Sequence, residues 1–510
     1  FDKTGFIREH NQCFTALVAR EYSSVGAADC IRQICYLYYK LRLPYTDVQI
    51  QPVVENFLQT EEDLAHLDLD EAADIPVPGG FTRAQVLERA SKLVGRLLRW
   101  SNPMHIIPRH GSGASACKYA PWERYHMPPR YIPKLDAVYS YSDLFFSSFG
   151  HLNDHWSTMQ DWEECTTPKA RVTFVPKDSR GPRLISCEPR EFMYVQQGLM
   201  TKLYTEIERY PMVRDQLSCI DQTRNQFLAR LASETGSHAT LDLKEASDRV
   251  SLQLVKKLFP KHWVRCFEAC RSEVTVLPCG REVTMRKFAP MGSALCFPVE
   301  AICFWAITLA ATVGDDDYRH RLFANEPLDG ESNQFAVFGD DIICPVEHTD
   351  CVVQALESCG LLVNRNKSFT KGPFRESCGG DYFLGKNVAP IRAKHLPVSA
   401  DKGITRNVIA HAQFRTLELF NNLSGKYGVE LLGEPFRRLF EAWYGPVVVV
   451  SSPPGEQQPE LGQGLKLWGT HRSIPPSLKT RFSPEHRLEY WGLVEKAVNE
   501  KVDSYVWGQL

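Results

Sequence analysis

The chain has 510 residues, 43% of them hydrophobic and 24% charged, an ordinary globular composition with length for a large core. Its net charge of −2 excludes a globally basic nucleic-acid binder, so any such partner requires a local positive surface. The 16 cysteines include no CxxC pair, which argues for reduced, buried thiols in a reducing compartment, with structural zinc as the weaker alternative.

The chain starts at Phe1, so an absent or processed N-terminus is expected, and the first thirty residues contain no signal-peptide h-region. Length suggests two to four domains, and there is no internal repeat. Helical material is predicted to about Trp100. Within it, FTRAQVLERASKLVGRLLRW carries apolar residues at helical spacing behind Thr82 as a possible N-cap. Residues 101–133 are loop-rich and aromatic around GSGAS. Residues 171–185 predict strand, basic turn, strand, and 188–210 a helix. HATLDL, 238–243, predicts a short strand leading into an amphipathic helix, DRVSLQLVKKLF. Residues 273–285 predict a hairpin around Pro278, Cys279 and Gly280.

The longest apolar run, ALCFPVEAICFWAITLAATV, lies in a predicted buried helix over 292–313. Pro298 and Glu300 interrupt it and leave a segment too short to span a bilayer, so a soluble protein without membrane contact is expected. Residues 334–346 predict strand, turn, strand, and 349–359 a helix. Residues 452–463 predict a Pro/Gly/Gln loop, and the last 25 residues a helix. Irregularly alternating strands and helices with helical flanks predict an α+β centre with helical attachments.

Two GDD triplets stand in this frame. The first, Gly314 to Asp316 with Asp317 following, ends an apolar helix and suits a solvated cap or loop. The second, in FAVFGDDIICP, lies between two apolar segments that suit buried strands. Gly339 can take the positive φ of a tight hairpin, presenting Asp340 and Asp341 at its tip. Two adjacent carboxylates in an apolar setting repel each other, and a divalent cation resolves that cost. Asp242, at the end of the strand in TLDLKEASDRV, is the best further ligand, although a helix N-cap explains it equally well in isolation. A strand-end aspartate beside a hairpin-tip aspartate suits two Mg²⁺ ions about 3.5–4 Å apart. Such ions retain open positions for substrate phosphates.

Asp248 lies just beyond this strand. It suits acceptance of a hydrogen bond from a ribose 2′-OH, or serves as a surface charge near Arg249. KARVTFVPKDSRGPRLISCEPR gathers Lys169, Arg171, Lys177, Arg180, Arg183 and Arg190, a positive concentration that suits either a triphosphate channel or a solvated hairpin. Lys367, in GLLVNRNKSF, is either a surface lysine or the acid that protonates a departing pyrophosphate.

The ordered set KDSRGPRLI, TLDLKEASDRV, MGSALCFPVEA, FGDDII, GLLVNRNKSF and FRESCGGDYFLGKNVAPIR resembles the RNA-dependent RNA polymerase of levivirus-type RNA bacteriophages and their narnavirus and ourmiavirus relatives. The last segment is the most specific, and the resemblance covers about residues 169–392. It implies a right-hand α+β fold. The implied division is an N-terminal helical region (1–100), fingers (101–235), a palm (236–395, with a fingers insertion near 265–290) and a mostly helical thumb (396–510).

It also implies site roles. Asp242, Asp340 and Asp341 would hold Mg²⁺, with Mn²⁺ able to substitute, and Lys367 would be the general acid. Lys177, Arg180 and Arg183 would face the triphosphate, and Asp248 the ribose. Gly292 and Ser293 would touch template or nucleotide. Lys169 and Arg171 would contact RNA, and the turn from Arg375 through Ser377 to Gly379 would position the nascent strand. The MG before the buried helix, with Cys296 and Glu300 where many polymerases carry Thr and Asn, is usual among levivirus-like replicases and leaves the partners of Asp248 open. Template and nascent RNA, NTPs and host translation elongation factors are the implied partners, in the cytoplasm of a bacterial host, with fungal or plant hosts open. A catalytically silent RNA-binding or packaging protein, or a reverse transcriptase, would share the scaffold.

Overall fold

The computed structural model describes residues 25–70, 75–77, 80–117, 130–159, 162–312 and 335–394, with position 323 and short pieces within 415–438 and 480–490. The first GDD and the 452–463 loop lie outside the described residues. The chain divides into two compact units, Phe1–Arg32 with Pro44–Ala389, and Gln33–Leu43 with Pro390–Leu510. In the second unit Gln33 is tied reciprocally to Ile391, donating to its carbonyl at 2.8 Å and accepting from its N–H at 2.9 Å.

From Asp47 the first unit continues with helices α1 (Asp47–Ala65) and α2 (Arg83–Leu97). Thr82 caps α2 as its sequence predicts, and Gln85 closes a capping box by reaching back to the Thr82 N–H at 2.9 Å. Strands β1 (Ala170–Asp178) and β2 (Gly181–Cys187) form the basic hairpin. Its register shifts between Val175 and Asp178. The shift accommodates Pro176, which has no N–H to give the ladder. Helix α1 braces the hairpin turn, Gln49 Nε2 donating to the Ser179 carbonyl at 2.9 Å. Helices α3 (Arg190–Arg209) and α4 (Thr223–Thr235) follow, then strand β3 (His238–Leu241).

The predicted single helix after β3 is instead two, α5 (Ala246–Arg249) and α6 (Leu252–Leu258). The break has a tertiary cause. The Leu252 N–H donates to the Arg286 carbonyl and the Phe288 N–H to the Val250 carbonyl, so Val250 and Ser251 run as extended chain. Ser251 then caps the second helix, accepting from the Leu254 N–H at 3.0 Å. Strands β4 (Val274–Val276) and β5 (Glu282–Thr284) form the predicted hairpin. They extend the basic hairpin into one sheet of order β2–β1–β4–β5.

Helix α7 (Cys296–Thr312) starts later than predicted and is buried along nearly its whole length. A helix apolar on every side has no face to give to water and becomes the axis of the core. It packs against α2 and against α8 (Thr349–Ser358). No helix among the described residues is long and apolar enough to cross a membrane. Strands β6 (Ala336–Phe338) and β7 (Asp341–Pro345) form the second GDD hairpin and pair with β3 in an antiparallel sheet of order β6–β7–β3. Strands β8 (Phe374–Ser377), β9 (Gly380–Phe383) and β10 (Lys386–Asn387) make a further antiparallel sheet.

Near the C-terminus, Leu488–Tyr490 pairs as a strand with Thr480–Phe482, against the helix predicted there. Every cysteine among the described residues is a free thiol, and only Cys30 and Cys279 of these are exposed.

Candidate active site

The hairpin tip is built by steric demand. Gly339 sits at φ +60°, and a Cβ there would lie 2.4 Å from the Phe297 ring, so only glycine fits. The turn hands Asp341 to the first position of β7. There the register pairs Ile342 with Leu241. The ladder ends there, and Asp341 and Asp242, the next residues on the two strands, are near enough for Asp242 to bear on the Asp341 carboxyl.

Each carboxylate is fixed from outside the sheet. Asn364 Nδ2 donates to Asp242 Oδ2 at 2.7 Å, and the Asp242 N–H donates to Ser368 Oγ at 3.1 Å. Lys367 Nζ lies 3.8 Å from Asp242 Oδ1. Asp341 Oδ2 accepts from the Cys378 N–H at 2.9 Å.

The electrostatics follow from burial and like charge. Burial, then Asp340 and Asp242, pushes the Asp341 carboxyl up to about 7. Burial and Asp340 raise Asp242 against the pull of Lys367 and Asn364. Loss of hydration lowers Lys367, but Asp242, Glu376 and Asp340 outweigh it and its pKa is raised. Among the described residues no three His, Cys, Asp or Glu side chains already close on one point as a metal cage. The donors are nevertheless those of a hard cation: oxygen-only and partly desolvated, with the Asp242 and Asp341 carboxyls raised first by burial and then by neighbouring carboxylates, a cost that a cation would relieve. Asp242, Asp340 and Asp341 are the residues whose chemistry would suit such an ion.

The basic hairpin stands beside these acids. Lys177 and Arg180 both act on the Lys367 ammonium, and Lys177 on Asp242. Arg180 is oriented by Asp178, its Nη2 donating to Oδ2 at 2.8 Å and its Nε to Oδ1 at 3.2 Å. Arg183 is exposed on β2 opposite Val175. Lys169, also exposed, pairs with Glu282 at 2.6 Å, and half-buried Arg171 stands opposite Cys187.

Asp248 is half-buried, and burial raises its carboxyl to about 6 despite the nearby Lys287 ammonium. Lys287 is a fully buried cation that sequence reasoning missed. It donates to the Phe57 carbonyl at 2.6 Å and pairs with Glu61 at 3.3 Å. Glu300 is buried in α7 with Oε2 lacking a hydrogen-bond partner, and burial followed by Asp340 and Asp248 holds its carboxyl well above the usual range.

Gly292, at φ +122°, rides on β2 so closely that a Cβ would lie 2.3 Å from the Ser186 carbonyl oxygen. The neighbouring Ser293 is buried and donates to Gln196 Oε1 at 3.0 Å.

Two residues expected at the RNA are placed elsewhere. Arg375 is fully buried, and its guanidinium donates to the carbonyls of His238, Gly372 and Phe374. It therefore ties β8 to the start of β3 and presents no surface to a nucleic acid. Ser377 is also buried, accepting from Asn225 Nδ2 at 3.3 Å. Both alternate along β8 with Glu376, to which the sequence assigned no role. Burial, then its cross-strand neighbour Asp381, raises the Glu376 carboxyl to about 7. Asn364 carried a faint signal, being one turn ahead of Lys367, whereas nothing local marked Asn225 or Lys287.

Paired strand-end and hairpin-tip aspartates, an adjacent lysine and a flanking cationic hairpin form an acidic centre faced by cations, an arrangement suited to phosphoryl transfer. The family model of the RNA replicase beta-chain matches residues 150–400. The RNA-directed RNA polymerase subunit beta of Escherichia virus Qbeta is 36% identical over 242 residues, covering 46% of this chain and 36% of that protein. The RNA-directed RNA polymerase beta chain of Enterobacteria phage fr is 32% identical over 272 residues, 53% of this chain and 44% of that protein. That of Escherichia phage MS2 is 30% identical over 272 residues, with the same coverage of 53% and 44%. The matches thus span less than half the length of these relatives. They show that the central region of this chain is similar to the levivirus-like RNA-directed RNA polymerases. The RNA-dependent RNA polymerase of a human picorbirnavirus aligns with 87% of this chain and 81% of its own, at 11% identity and a TM-score of 0.41.

Proposed function

We propose that the chain carries out RNA-templated RNA synthesis in viral genome replication, adding nucleoside monophosphates from NTPs and releasing pyrophosphate. The β7–β3 register, which brings the strand ends carrying Asp341 and Asp242 together so that their carboxyls act on each other, carries this reading. Asp242, Asp340 and Asp341 would hold two Mg²⁺ ions, for which Mn²⁺ could substitute. Bound there, the ions would supply Lewis acidity to the attacking 3′-hydroxyl and offset charge on the leaving pyrophosphate. Lys177, Arg180 and Arg183 take the triphosphate, and Arg180 enters with its guanidinium plane already oriented by Asp178. Lys367, held charged by Asp242, delivers its proton to the departing pyrophosphate oxygen. Asp248 accepts from the ribose 2′-OH. Gly292 and Ser293 support the nucleotide through the backbone, because the Ser293 hydroxyl is already engaged by Gln196. Lys169 and Arg171 contact RNA.

The division into N-terminal region, fingers, palm and thumb belongs to the same proposal. The shared sheet of β1–β2 and β4–β5 supports assigning the 265–290 insertion to the fingers. Template and nascent RNA are the macromolecular partners, in the cytoplasm of a bacterial host, with translation elongation factors as accessory proteins.

The test is template-dependent extension by the purified chain, alone and with bacterial lysate, with ribo- and deoxynucleotides compared. Ribonucleotide incorporation lost in Asp341→Asn while RNA binding persists supports the proposal. RNA binding without synthesis in any condition assigns a silent RNA-binding protein instead, and a deoxynucleotide preference assigns a reverse transcriptase.

A further inference from the structure

Asp341 is gripped at both of its ends by one helix and one turn. Asn225, buried in the first turns of α4, donates through Nδ2 to the Asp341 backbone carbonyl at 3.3 Å. The same nitrogen donates to Ser377 Oγ at 3.3 Å. The next residue, Gln226, donates through Nε2 to the Cys378 carbonyl at 3.0 Å. The Cys378 N–H in turn donates to Asp341 Oδ2 at 2.9 Å. The ring thus runs from helix to turn to carboxylate and back to the helix.

We propose that Asn225 and Gln226 are positioning residues that preset Asp341 for its cation, acting through the turn at Ser377 and Cys378. This rests on the reading of Asp341 as a metal carboxylate.

The turn needs such support. Cys378 sits at φ +50°, a left-handed conformation that disfavours a residue with a Cβ. An amide N–H aimed at a carboxylate is useful only if the peptide carrying it does not relax. Gln226 fixes the far side of that residue. Asn225 fixes Asp341 itself and the residue before the turn. With Oδ2 committed to the Cys378 N–H, the carboxylate loses a rotational degree of freedom before a cation arrives, and Oδ1 carries the remaining coordination. Preorganisation of this kind strengthens binding without adding a ligand.

The same helix supplies an internal control. Ser233, two turns further along α4, accepts from the Gly385 N–H at 2.9 Å and so docks the other end of the β8–β9–β10 sheet, remote from Asp341. If α4 served only as a platform for that sheet, losing either contact would have the same consequence.

The experiment titrates Mn²⁺ into the metal-free full chain and reads free Mn²⁺ by electron paramagnetic resonance, with no nucleotide or RNA present. Thermal unfolding is recorded on the same samples. Asn225→Leu and Gln226→Ala should raise the Mn²⁺ midpoint about five- to thirty-fold, the equivalent of one or two hydrogen bonds. Ser233→Ala should lower the unfolding temperature and leave the midpoint unchanged. Gln226 is only half-buried, so its variant keeps the test open if Asn225→Leu fails to fold. An unchanged midpoint in a folded Asn225 or Gln226 variant, beside a wild type that binds and an Asp341→Asn that does not, overturns the clamp alone. A wild type that binds no better than Asp341→Asn overturns the metal reading and the clamp together.

Discussion

The Lys367 ammonium lies 3.8 Å from Asp242 Oδ1, while Asn364, one turn earlier, donates to the other carboxylate oxygen at 2.7 Å. One short segment therefore occupies both oxygens of the strand-end aspartate, one with a neutral donor and one with a cation. In a general acid, charge alone is insufficient; the proton must be transferable. Lys367→Met should lower the single-turnover rate about 10²–10⁴-fold with little change in RNA binding. Lys367→Arg, which keeps the charge and yields its proton far less readily, should be nearly as slow. Full activity in the arginine variant would reduce Lys367 to an electrostatic tether.

Asn364 tests whether Asp242 must be held still. Asn364→Ala removes a hydrogen bond to a charged group, worth about 1.5–3 kcal/mol. Rate at saturating Mg²⁺ should recover part of the loss seen at low Mg²⁺, because added metal reorders the freed carboxylate. A Mg²⁺ series for both proteins, read as extension rate, checks this.

Gly339 carries two separate costs if replaced. Gly339→Ala places a Cβ 2.4 Å from the Phe297 ring and puts a non-glycine residue at φ +60°. The conformation alone costs about 1–2 kcal/mol. Urea unfolding should show a larger loss than that in the single variant. In Gly339→Ala with Phe297→Leu the clash is relieved and the conformational cost persists, so the second change should destabilise less in this background than in the wild type.

The buried acids predict an inverted pH dependence without metal. Asp341 and Glu376 are raised to about 7 and Asp248 to about 6, so the folded chain holds protons that the unfolded chain has already released. The native state binds more protons above the ordinary carboxylate range, so stability falls as pH rises from about 4 through 7. In EDTA, Asp341→Asn should melt above the wild type at pH 8, and the gap should narrow at pH 5. A divalent cation, which favours the ionised form, should close the gap at pH 8.

Arg375 and Arg183 should separate cleanly. Arg375→Ala strips a buried guanidinium from three carbonyls and should lower the unfolding temperature whatever the ligand. Arg183→Ala removes an exposed cation and should leave the unfolding temperature unchanged while raising KM for NTP. Calorimetry and steady-state kinetics on the two variants check the contrast.

The sequence alone determined the strongly local features. The hairpin around Gly339 was readable because two apolar runs flank a residue that tolerates positive φ, and α2 because Thr82 and its periodic apolar face mark it from within. It also determined which side chains could do the chemistry, because carboxylate, ammonium and guanidinium are properties of single residues. Only the tertiary structure decided which of them meet. The register that pairs Ile342 with Leu241, and so brings the strand ends carrying Asp341 and Asp242 together, is a choice among hydrogen-bonded ladders between segments far apart in the chain. The break between α5 and α6 comes from Arg286 and Phe288 pairing with chain that would otherwise continue as helix. Arg375 has the composition of an RNA contact and the burial of a structural tie, because three carbonyls from neighbouring segments replace its water. Local periodicity and residue type are written in neighbouring residues. Register, burial and hydrogen-bond partnership depend on what packs across from them, and that is settled only when the whole core forms.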